Sequence, residues 1–290
     1  MNQRFNAIFT ALAAAALFGA ATPLAKALLG SMSAFMVAGL FYLGSGIGLG
    51  ASIVIRHLHA AGESGDTQRI SKAEVPWLLG AIAAGGVAGP ALLMLGLSST
   101  PAATSSLLLN LEGVLTAVIA WVVFKENVDK EIFLGMVAIV AGGVLLSWHP
   151  GSQGLSKGSL LIVGACLCWA IDNNLTRKVS ANDAMVIASL KGLIAGSVNL
   201  SIALVTGAQF PRVSIIGAAM ATGLAGYGVS LVLFVIALRN LGTARTGAYF
   251  SIAPLFGVAL SLMLWPELPT ISFWIAAALM AFGIWLHVRG

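Results

Sequence analysis

Apolar runs about twenty residues long dominate the chain, and each is closed by a short polar or breaker-rich interval. Ten such runs are predicted, at about 6–28, 34–55, 75–97, 103–124, 132–148, 158–176, 183–205, 213–237, 246–264 and 270–287. Breakers sit where the cuts fall: Ser98-Ser99-Thr100-Pro101 between the third and fourth runs, Gly207 and Pro211 between the seventh and eighth, and Trp265-Pro266-Glu267-Leu268-Pro269 between the last two. The longest polar stretch, Arg56 to Glu74, holds His57, His59, Glu63, Asp66, Arg69 and Lys72. A run of about 20 apolar residues crosses a hydrocarbon core when helical, and a lipid-exposed backbone must satisfy its own hydrogen bonds. The runs lack the strict alternation of a barrel strand, so the predicted fold is all-α and membrane-spanning.

Composition sharpens this picture. Of the 290 residues 59% are hydrophobic and 9% charged, with mean hydropathy +0.97. A soluble domain needs roughly a quarter of its residues charged, so the outer surface here is expected to meet lipid. The net charge of +5 belongs to the ends of the spans, which fits membrane orientation and not nucleic-acid binding. With the N-terminus inside, one side receives Arg4, Arg56, Arg69, Lys72, Lys125, Lys130, Arg177, Lys178, Arg239, Arg245 and Arg289, and the other only Lys157 and Arg212. The expectation is a multi-pass protein of the bacterial inner membrane with both termini cytoplasmic. The N-terminal run, which follows Arg4 as a signal peptide would, is read as the first span.

Five runs precede the interval 149–157 and five follow, so the two halves are expected to lie in opposite orientations. Residues 97–126 align without gaps on residues 238–267, and each segment ends in Glu. The domains are therefore expected at 1–148 and 158–290, as inverted five-helix repeats joined by an extracytoplasmic linker. This plan recurs among secondary transporters, with the solute between the halves. The spaced pairs Gly46/Gly50, Gly85/Gly89 and Gly192/Gly196 fit close helix packing better than a hinge or dimer face. Pro23, Pro90 and Pro254 mark expected kinks.

Ionisable side chains in a span cost about 2.5–3.5 kcal/mol each on insertion scales, which makes each a candidate for function. Lys26, Glu112, Asp172 and Lys191 are such residues, and their charges sum to zero. Glu112, near the middle of the fourth span, suits a cation, an amino group or a proton; its alternative is a protonated carboxyl bonded to a neighbouring helix. Asp172 and Lys191 fall at similar depths on consecutive antiparallel spans, so a structural ion pair is expected. Trp169 and Asn173, at i and i+4, share one helical face, suited either to a cavity wall or to joining helices through the amide. Asn110, two residues before Glu112, and Tyr249 and Ser251, from the aligned stretch of the second half, complete the predicted substrate-binding set. Lys26 is expected to snorkel from the end of its span. Cys166 and Cys168 point to opposite sides of a helix, and no metal site, catalytic set or cofactor is implied. An intramembrane protease is disfavoured because Leu43-Gly44-Ser45-Gly46 lacks the first glycine of a Gly-x-Ser-Gly nucleophile and no span holds a buried histidine.

The stretch Gly96 to Glu126, with Ser98-Ser99-Thr100-Pro101 and Leu111-Glu112-Gly113 inside it, resembles the repeat of EamA transporters in the drug/metabolite transporter superfamily. Leu17-Phe18-Gly19 and Cys168-Trp169-Ala170 look like openings of that family's first and sixth helices, and Arg239 to Glu267 is similar to its second copy. Gly113 stands where the family usually has Pro. The resemblance implies a ten-helix bundle around a central cavity and export of small polar metabolites, amino acids foremost, with cationic drugs as the alternative. It implies a small-molecule substrate, lipid as surroundings, possible proton coupling, and a monomer or homodimer.

Overall fold

The computed structural model describes residues 2–59, 70–148, 155–179, 182–266 and 269–289. The expected Ser-Pro, Gly-Pro and Trp-Pro breaks separate ten helical spans among these residues. We number them α1 (Asn2–Leu29), α2 (Ala34–His59), α3 (Val75–Ser99), α4 (Ala102–Phe124), α5 (Lys130–Ser147), α6 (Lys157–Val179), α7 (Ala184–Val205), α8 (Val213–Leu241), α9 (Thr243–Phe250 and Ala253–Leu264) and α10 (Ile271–Arg289). The first eight are long and apolar enough to cross a membrane. Two shorter apolar helices follow, Ala253–Leu264, the part of α9 after its break at Ser251-Ile252, and Ile271–Leu286 within α10. No strand occurs among the described residues, and the only bridge joins Trp148 to Leu155. Glu267, the second of the two aligned glutamates, lies outside the described residues, as does most of the linker.

Helix packing repeats under exchange of the halves. α3 packs on α6 as α8 packs on α1; α1 meets α9 as α6 meets α4; α2 meets α8 as α7 meets α3. The pairs α2–α7 and α5–α10 map onto themselves. Local irregularities repeat too. α3 widens into a π segment at Ile82–Ala88 and α8 at Leu224–Val229. The alignment that carries Leu97 onto Leu238 carries Gly85 onto Gly226, inside both. α4 breaks at the turn Leu109-Asn110 and α9 at Ser251-Ile252, again at corresponding places. The break in α4 thus forms without a proline at Gly113.

Small residues set the closeness of these contacts. A Cβ at Gly46 would come within 2.5 Å of the Leu193 backbone nitrogen, and one at Gly196 within 2.6 Å of that of Leu43. The glycine pairs therefore serve packing between α2 and α7. Gly85 and Gly89 instead abut Asp172 and Trp169 of α6. Outward-facing positions carry large apolar side chains, among them Phe9, Ile47, Trp121, Phe133, Val213 and Trp274, as a lipid-facing surface requires.

Candidate substrate cavity

The two π segments shape a central cavity of about 310 Å³. A π turn leaves carbonyls without their usual partner, and in a membrane those oxygens need others. The Gly85 carbonyl accepts from the Tyr42 hydroxyl at 2.8 Å and from the Trp169 indole Nε1 at 2.9 Å. Asn199, fully buried on α7, donates to the Gly86 and Val87 carbonyls at 3.2 and 3.4 Å. The freed backbone thereby fixes two aromatic walls of the cavity. The second π segment contributes Gly226 and Tyr227, whose ring meets that of Tyr42 edge-on at 5.4 Å between centroids. Phe18, Phe234 and Phe250 complete a lining of six aromatic side chains.

Glu112 enters this lining from the first turn of the second piece of α4. Asn173 donates to its Oε1 at 3.0 Å and to Thr116 at 3.3 Å. No ion-pair partner reaches Glu112 among the described residues. Lys191 also lines the cavity, and its Nζ stands 2.6 Å from both oxygens of Asp172. The Thr176 hydroxyl donates to Asp172 Oδ1 at 2.8 Å. Both charged side chains are largely shielded, at 16% and 8% exposure for Lys191 and Asp172. An adjoining space of about 300 Å³ shares Tyr42, Asn173, Lys191 and Tyr227 with the cavity and reaches Thr176, Asn182 and Ala184. At that end Arg56 pairs with Asp183 at 3.0 Å and Arg177 with Glu126. The end to which the cavity extends is thus the one where the charge count locates the cytoplasm.

Of the six residues read from the sequence as substrate-binding, three line the cavity and three do not. Glu112, Trp169 and Asn173 meet on one wall. Asn110 does not join them: the turn at Leu109-Asn110 rotates it toward α10, where its amide donates to the Leu107 carbonyl at 2.9 Å and lies 3.8 Å from Met280 Sδ. Tyr249 and Ser251 are half-buried beside the α9 break, and Phe250 between them is the residue of that stretch that lines the cavity. Tyr42, Tyr227, Phe18 and Phe234 escape a search for polar residues in apolar runs; the glycine clusters flanking Gly85 and Tyr227, at matching places in the two halves, are the signal that points to them. Lys26 does not snorkel outward. Its Nζ donates to the carbonyls of Leu97 (2.6 Å), Ser98 (3.2 Å) and Thr100 (3.1 Å).

A ten-span bundle of inverted halves, enclosing a solute-sized cavity with a carboxylate in its wall, is the architecture of a membrane transporter. The chain belongs to the EamA-like transporter family, whose profile matches residues 5–148 and 156–289. It is 27% identical over 300 residues to an uncharacterized transporter of Methanothermobacter thermautotrophicus, covering 98% of this chain and 86% of that one. It is 25% identical over 205 residues to the uncharacterized transporter YyaM of Bacillus subtilis, covering 67% of each. A solved crystal structure, 17% identical, shares the fold with a TM-score of 0.70 over 97% of this chain and 95% of that one.

Proposed function

We propose that this transporter exports small solutes bearing an amino group, amino acids with apolar or aromatic side chains foremost, across the bacterial inner membrane by alternating access. The observation that carries the reading is Glu112: a carboxylate on a cavity wall, held by one amide and without a cationic partner among the described residues. An ammonium group in the cavity supplies the missing partner, and the aromatic walls receive an apolar body. Lys191 offers a cation for a carboxylate on the same solute, at the cost of loosening its hold on Asp172. On the charge count the termini face the cytoplasm, and the exporter works as a monomer or a homodimer.

One observation favours a second reading, export of organic cations. Both oxygens of Asp172 already engage Lys191, and six aromatic rings surround the space beside Glu112. Rings of this kind attract a cation through their faces. Proteoliposome counterflow with phenylalanine, phenethylamine and phenylpropionate separates the two. Transport of phenylalanine alone supports the amino-acid reading, and transport of phenethylamine as well moves the assignment to cations. Preference for phenylpropionate removes Glu112 from substrate recognition.

A further inference from the structure

A second cavity, of about 490 Å³, lies at the opposite end of the bundle from the charged end. Its walls carry the side chains of Ser98, Ser99, Thr100, Thr104, Ser261 and Thr270, together with Lys26. Ser98, Ser99 and Ser261 bond back to their own helices, but the Thr100 hydroxyl has no partner among the described residues and the Lys26 ammonium stands in the same wall, a lining that suits water better than lipid. Three of the helices that line it, α1, α4 and α9, line the central cavity too, each from a different level. Along α1 the central cavity has Phe18 and the vestibule Lys26; along α4, Glu112 and Thr104; along α9, Phe250 and Ser261.

Between these levels the three helices touch through their smallest residues. A Cβ at Gly257 would fall 2.6 Å from Ser106 Oγ and 2.8 Å from the Gly19 carbonyl, and one at Gly19 would collide with the Ala253 carbonyl. No solute passes such a contact unless α1 separates from α4 and α9. Ser106 is 1% exposed, and its hydroxyl has no hydrogen-bond partner among the described residues. An orphaned hydroxyl weakens the closed arrangement and regains water when the helices part. Above the contact, Lys26 of α1 is bonded to the carbonyls that end α3 and lead into α4. Those carbonyls lack helical partners and carry the negative end of the helix dipole, so the ammonium group fastens α1 across the seam.

We infer that the second cavity is the outer half of the solute path, that Gly19, Ser106 and Gly257 form its closed gate, and that Lys26 is the latch that holds the gate shut. The inference does not depend on which solute is carried. It requires that losing the latch shift the protein toward an outward-open state, with the gate reached from outside.

Cysteine labelling tests this without any substrate. In a background with Cys166→Ala and Cys168→Ala, single substitutions Thr104→Cys and Ser106→Cys are exposed to a membrane-impermeant maleimide in intact cells. Thr104→Cys is expected to label from outside even with Lys26 present, and Ser106→Cys to label slowly. Adding Lys26→Met should speed labelling of Ser106→Cys about tenfold, the shift in a two-state equilibrium that one lost charge-assisted bond produces, while Lys26→Arg should leave it slow. An unlabelled Thr104→Cys, or one reached only from the cytoplasm, overturns the vestibule. An unchanged rate at Ser106→Cys in a folded Lys26→Met protein overturns the latch. If Lys26→Met fails to fold, the comparison of Lys26→Arg with Lys26→Gln decides: equal rates overturn the latch.

Discussion

Asp172→Asn isolates the electrostatics of the cavity wall. Lys191 Nζ lies 2.6 Å from each Asp172 oxygen, and the pair is shielded on both sides. At that distance an effective dielectric near 20 gives an attraction of about 6 kcal/mol. Part of this is offset by the desolvation both groups already suffer, and an amide oxygen still accepts from Lys191. Removing one partner of a buried pair typically costs about 3–5 kcal/mol, and the lower end applies here because Thr176 stays within 3.5 Å of the ammonium group. Lys191→Met strands the carboxylate instead, leaving it only the Thr176 hydroxyl, and should cost at least as much. The double variant leaves no unpaired charge and is expected within about 1–2 kcal/mol of the parent. Unfolding in mixed micelles by titration with sodium dodecyl sulfate, followed through tryptophan fluorescence, measures all three. Single losses that add in the double variant would refute the pairing argument.

Three more outcomes are expected. Glu112→Gln should insert and fold nearly normally, since no charge is left unpaired, while transport drops about tenfold or more, the worth of one charge-assisted bond; unchanged transport by a folded variant moves recognition to Trp169 and the other aromatics, and if Glu112 also carries a coupling proton, the residual transport becomes flat with pH. Asp183, at the start of α7, is partly buried, which pushes its pKa up, but bonds from the Met185 amide and Arg56 outweigh this and hold it below its ordinary value; its contribution to stability is therefore full above the unfolded carboxylate pKa and lost as pH falls through the lower folded one, so acid melting curves of the parent and Asp183→Ala should converge there. A phosphatase reporter fused at Gly207 should be active and one at Gly242 inactive, and the reverse would invert the orientation read from the charges.

The span boundaries were legible because membrane insertion leaves one dominant signal, apolar length, and the breakers between spans are chemically distinct. The Asp172–Lys191 contact was legible for a related reason: two opposite charges at equal depth on adjacent helices have few other partners. Asn110 was misdirected because extrapolation along a helical face assumes an unbroken helix, and α4 turns at the residue itself. The aromatic lining was hidden because Tyr42, Phe18 and Phe234 sit in apolar runs where an inward and a lipid-facing ring read alike. The π segments leave no mark in hydropathy, since they alter hydrogen-bond register and not polarity. Lys26 reaches its carbonyls through a long flexible stem, 71 residues away along the chain at Leu97, which no local pattern encodes.

The two contacts that map onto themselves under exchange of the halves have a mechanical meaning. In a transporter of inverted repeats, swapping the conformations of the two halves turns an arrangement open to one side into one open to the other. A contact such as α3–α6 is carried onto α8–α1 by that swap, so the two must differ and trade places during a cycle. A contact such as α2–α7 is carried onto itself and has no reason to change. Backbone set against backbone at Gly46 and Gly192, with no room for a Cβ on either, gives this pair a fixed separation. On the alternating-access reading proposed above, this pair acts as a fulcrum, and Tyr42 and Lys191 hang the cavity's wall from it.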